Sequence, residues 1–77
     1  MTPQQCRAAR ALLDWSQADL ARRSKVAVRT VQNFEKGAHE TMQAKLDAMQ
    51  STLQVAGVQF SNGDQLGVKL VKRKGKG

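Results

Sequence analysis

At 77 residues the chain has room for one small core, near the lower limit at which a domain stands without a metal or disulfide staple. A single cysteine, Cys6, excludes an internal disulfide and a multi-cysteine metal site, and no apolar run approaches the roughly 20 residues of a membrane helix. The net charge of +7 suggests a polyanionic partner, but residues 1–68 carry eight basic and six acidic groups while KLVKRKGKG at 69–77 carries five basic groups and no acid, so the body is only mildly basic.

The basic end has two readings: a solvated, disordered tail over 72–77, or a non-specific phosphate anchor. Charge alone does not decide between them. Nothing at the start resembles a signal peptide, so a bacterial cytoplasmic protein is the expectation.

In chain order, Thr2-Pro3-Gln4-Gln5 reads as a helix start. Thr2 caps, Pro3 suits the first helical position, and Gln5 completes a T-x-x-Q capping box. Cys6, Ala9, Leu12 and Leu13 then recur at helical spacing, with Asp14 and Trp15 at the exit. Ser16 opens a second, short helix to about Arg23, and Asp19 stands where a carboxylate reaches back to the free N–H groups. A tight turn through Ser24, Lys25 and Val26 leads to a third helix, about Val28 to Lys36, stopped by Gly37.

From about Glu40 to Ala56 the residues Met42, Leu46, Met49, Leu53 and Ala56 fall at steps of three and four, which predicts the longest amphipathic helix of the chain. Beyond Gly57, alternating apolar residues in Val58–Phe60 and Gly67–Val71 on either side of Asn62-Gly63 predict a β-hairpin. The fold class is therefore mostly α: a compact four-helix domain over 1–57 with a hairpin extension over 58–71.

A short helix, a three-residue turn and another short helix bury each other only if they cross closely. Ala21 supplies the small residue at the crossing, Val26 plugs the turn, and Val31 and Phe34 face inward. This is the helix-turn-helix pattern, whose second helix fits a major groove.

Here ARALLDWSQADLARRSKVAVRTVQNFEKG resembles the Xre/Cro-type repressor family. The usual form is R-x-x-x-x-W/L-S-Q-x-x-L-A, a G-V-S-like turn, then T-I/V-x-x-W/F/L-E-x-G. Arg10, Ser16, Gln17, Leu20, Ala21, Val26, Thr30, Val31, Phe34, Glu35 and Gly37 match it. LQVAGVQF…GVKL is similar to the ending of short single-domain members, so the resemblance covers about residues 5 to 70. Two residues depart from it: Lys25 replaces the turn glycine and Ala27 the common serine. A non-glycine residue in a left-handed turn and a lost hydroxyl cap each cost on the order of 1 kcal/mol.

The resemblance implies that Val28, Arg29, Gln32 and Asn33 meet base edges. Arginine suits guanine, Asn and Gln suit adenine, and an aliphatic side chain suits a thymine methyl. It implies that Gln17 holds a phosphate, with Arg22, Arg23, Lys36 and the Gly37-Ala38 backbone as secondary candidates. Lys25 adds a cation near that face, and Thr30 either reaches a phosphate or packs. Arg10 and Glu35 are implied to form a partly buried ion pair bracing the first helix to the third. Trp15 and Cys6 read as core, and His39 stands alone in a loop.

No nucleophile–base pairing or phosphate-cradling loop is present, so an enzyme is not expected, nor is a metal, a cofactor or a small-molecule effector. One recognition helix contacts few base pairs, which implies a homodimer on an inverted-repeat operator in double-stranded DNA. Phe60, Val68 and Leu70 are the expected dimer contacts. The function expected is a sequence-specific regulator, a repressor or autoregulator of the kind found in mobile elements. The alternative is an antitoxin or anti-activator acting through protein–protein contacts on the same fold. Arg29 on a polar helix face, and the lack of a second domain or neutralising segment, favour the regulator.

Overall fold

The computed structural model describes residues 1–37, 41–61 and 67–71. The expected turn at Asn62-Gly63, His39, Ala38 and the tail 72–77 lie outside the described residues. Four helices precede a two-stranded antiparallel hairpin: α1 (Pro3–Leu13), α2 (Gln17–Ser24), α3 (Val28–Lys36), α4 (Gln43–Val55), β1 (Val58–Ser61) and β2 (Gly67–Leu70).

Both expected capping boxes form. Thr2 Oγ1 accepts from the Gln5 amide at 3.1 Å and Gln5 Oε1 accepts from the Thr2 amide at 2.9 Å. Ser16 Oγ accepts from the Asp19 amide at 3.0 Å and Asp19 Oδ2 accepts from the Ser16 amide at 2.9 Å. α3 has neither device, because its N-cap is Ala27 and no side chain caps it.

Helices α1 and α2 end in the same way. The residue after each helix is left-handed, Asp14 at φ 59° and Lys25 at φ 62°. The next amide folds back five residues, Trp15 N to Arg10 O at 2.9 Å and Val26 N to Ala21 O at 3.0 Å. Such ends favour glycine, which pays no Cβ penalty there. Relieving Lys25 of about 1–2 kcal/mol of left-handed strain, against the roughly 0.5–1 kcal/mol entropy cost of a glycine, leaves a net gain. Lys25→Gly should therefore raise the thermal midpoint by a few degrees in a calorimetric scan. A lower midpoint would mean that the Lys25 side chain supports the turn.

The core draws on every helix and on β1: Cys6 and Ala9, Leu20 and Ala21, Val31 and Phe34, Met49 and Leu53, and Val58. The small members Cys6, Ala9 and Ala21 let the helix axes approach, while Leu20, Val31, Met49 and Leu53 fill the centre and are fully buried. α4 is less one-sided than its spacing predicted. It begins at Gln43, leaving Met42 at the cap 66% exposed, and Val55 near its end is 70% exposed. Only Met49 and Leu53 are buried, with Leu46 packed at the core's edge. Leu12, placed with the inward residues by spacing, is also exposed.

The hairpin pairs Val58 with Leu70 and Phe60 with Val68, which puts these four side chains on one face. A two-stranded hairpin is marginal in water, and two anchors hold this one. Val58 enters the core, with Phe60 and Val68 packed against it. Gln5, only 3% exposed, donates from Nε2 to Ser61 O at 3.0 Å and to Gly67 O at 3.2 Å, tying both strands to α1.

Candidate nucleic-acid interface

At 3.6 residues per turn, Val31, Phe34 and Glu35 line one side of α3 and are buried. Gln32, Lys36, Arg29 and Asn33 fall on the opposite side, and Val28, the first residue of the helix, stands at the edge between the two. Val28, Arg29, Gln32 and Lys36 are exposed and Asn33 is half-buried. The four expected base-contacting residues thus share one outward face, with Val28 at its edge. Arg29 stands at its middle, and no ion pair joins it to an acid among the described residues.

The buried side of α3 carries the brace. Arg10 Nε donates to Glu35 Oε2 and Arg10 Nη2 to Glu35 Oε1, both at 2.7 Å, a two-pronged pair. The same carboxylate accepts the Cys6 thiol at 3.1 Å and the Gln17 amide at 3.1 Å. Arg10 Nη1 donates to Trp15 O at 3.0 Å, and Arg7 donates to Glu35 O. Burial pulls the Glu35 carboxyl upward, but Arg10, Cys6 and Gln17 outweigh it and hold the group below its ordinary value. The hydrogen bond to Glu35 raises Arg10 in turn. Desolvation, reinforced by the bond to Glu35 and its charge, pushes the Cys6 thiol far up, so Cys6 is a protonated donor here. The spacing of residues 10 and 35 shows none of these additional partners.

The expected phosphate residues divide into two groups. Three are engaged within the chain: Gln17 with Glu35, Arg22 with Asp19 Oδ1 at 3.0 Å, and Arg23 with its guanidinium 4.6 Å from the Trp15 ring centroid. The other three ring the reading face. Lys25 is exposed in the turn before α3, Thr30 is half-buried, and Lys36 is exposed at the helix's end. A groove beside α3 is lined by Arg7, Arg10, Gln17, Gln32, Glu35 and Lys36, and so joins the brace to the reading face. The family motif does not include Arg7, although its three-residue spacing from Arg10 puts both on one side of α1.

Among the described residues no group of three or more His, Cys, Asp or Glu side chains is placed to hold a metal ion. No described helix is long and apolar enough to cross a membrane. The expected dimer residues differ in exposure. Phe60 and Val68 lie partly buried against the chain's own core, whereas Leu70 is 49% exposed and Val71 beside it 40%.

No curated protein matches the chain closely. A family model described as helix-turn-helix (HTH_3) matches residues 7–59, a span that runs from Arg7 through the brace, α3 and α4 into β1. The chain belongs to this Xre/Cro-like helix-turn-helix family of DNA-binding transcription regulators.

Proposed function

We propose that the protein is a cytoplasmic repressor or autoregulator that binds an inverted-repeat operator as a homodimer, of the kind found in mobile elements. The observation that carries this reading is the split of α3 into a buried, braced side and an outward polar face with Arg29 at its middle. In this reading Val28, Arg29, Gln32 and Asn33 meet base edges in the major groove, and Lys25, Thr30 and Lys36 contact flanking phosphates. Gln17 keeps a second amide hydrogen for a phosphate while the first stays on Glu35. Arg22 and Arg23 join only by exchanging Asp19 and Trp15, which their exposed positions make easy. A footprint on DNA upstream of the protein's own gene tests the function. Two protected half-sites about one helical turn apart are expected, and uniform weak protection would count against it.

The dimer contact proposed is centred on Leu70 and Val71 at the base of the hairpin, across from Val58 and Gly57, with Phe60 and Val68 further along the same ladder. Deleting the hairpin is a poor test, because it also strips Val58 from the core. Leu70→Asp removes the apolar contact from an exposed site instead. Sedimentation should show a dimer for the wild type and a folded monomer for the variant, whose thermal midpoint no longer depends on protein concentration. A variant that remains dimeric would place the interface elsewhere.

A further inference from the structure

The tip of α3 is apolar where a DNA-reading helix commonly presents a hydrogen-bonding group. Ala27, the N-cap, is exposed, and Val28, the first helical residue, is 41% exposed. Neither makes a side-chain hydrogen bond, and no hydroxyl caps the helix. The backbone of Ala27 is extended, at φ −69° and ψ 146°, so the residue stands just outside the helix at the end where α3 begins. Val28 is also an exception among the apolar residues of α3, since Val31 and Phe34 are buried in the core. Arg29 follows directly, and Gln32, one turn on from Val28, shares its face.

We infer that Ala27 and Val28 form an apolar reading tip that contacts thymine C5-methyl groups. The operator half-site therefore carries thymines beside the base pair read by Arg29. This rests on the DNA-reading role of α3 proposed above and adds Ala27 to the specificity-determining residues. The chemistry is selective. In the major groove only thymine offers a methyl group, and cytosine presents an amino donor that an apolar tip leaves without an acceptor. Two small side chains without polar atoms suit methyl groups and little else in the groove.

The experiment begins with a duplex library randomised over the footprint, enriched by binding to the wild-type chain. Thymines should recur at one or two fixed half-site positions. Enriched duplexes are then remade with deoxyuridine at each of those positions singly, which deletes only the methyl. Each critical replacement should weaken binding about two- to fourfold, the upper end being about 0.8 kcal/mol per buried methyl. Val28→Ser should lose that sensitivity at one position. Ala27→Ser should lose it at the other while its thermal midpoint rises from the restored cap, a combination that misfolding cannot produce. If a specific site is enriched but tolerates every deoxyuridine, the methyl inference is overturned while the DNA-reading role stands. If no sequence is enriched over random duplex, that role fails and the inference fails with it.

Discussion

Glu35→Ala is expected to remove a large share of the folding stability without changing any residue of the reading face. The substitution leaves the Arg10 guanidinium, the Cys6 thiol and the Gln17 amide facing a space with no acceptor. Removing one partner of a buried pair costs about 3–5 kcal/mol. A domain of this size has only about 4–12 kcal/mol in total at typical per-residue stability. Arg10→Ala should be comparably severe, since the Glu35 side chain is 3% exposed and Arg10's only 17%. Denaturant titrations of both variants against wild type measure the loss, and a shift under about 1 kcal/mol would show that the network is dispensable.

The same network sets an acid limit. Glu35 is held below its ordinary value of 4.5 in the folded chain, so it binds a proton more readily when unfolded. Its contribution is complete above that ordinary value and is lost as pH falls through the lower, folded value. Glu35→Gln keeps the shape and removes the titration. The variant should be less stable than wild type at neutral pH, and the gap should narrow as the solution is acidified.

Arg29→Ala has the complementary outcome: a folded protein that reads poorly. Arg29 is exposed and takes no part in the core, so its removal should leave the thermal midpoint within a few degrees of wild type. If Arg29 makes a two-pronged contact to guanine, affinity for the selected operator falls by about 1–3 kcal/mol. Discrimination at that base pair falls with it. A loss of equal size on every duplex would instead mark Arg29 as a phosphate contact.

The division between these two residues was partly visible in the sequence. Local chemistry wrote the helix boundaries plainly: Thr2 with Gln5, Ser16 with Asp19, and Gly37 at the end of α3 each did what their types predict. Lys25 did adopt the left-handed conformation that made it look misplaced. The partners of Glu35 beyond Arg10 were hidden, because Cys6, Arg7 and Gln17 reach it across 29, 28 and 18 positions. Spacing along a helix carries no information at that range.

Gln5 shows the same limit more sharply. Its capping role is local, but its grip on the hairpin spans 56 and 62 positions. Alternation marked the hairpin's apolar face without saying whether that face meets this chain or another. It meets this chain at Val58, Phe60 and Val68, and thins toward Leu70. Met42 and Val55 kept helical spacing yet are largely exposed, since period alone does not say how far the facing surface extends.

Everything proposed for this protein depends on sequence reading by the outward face of α3. The most direct test of that reading is the wild-type affinity for an enriched operator duplex and for a base-scrambled duplex of equal length, titrated at several salt concentrations. A specific reader prefers the operator by about a thousandfold or more near physiological salt, and both affinities fall as salt rises. Equal affinity for the two duplexes at every salt concentration would contradict the account.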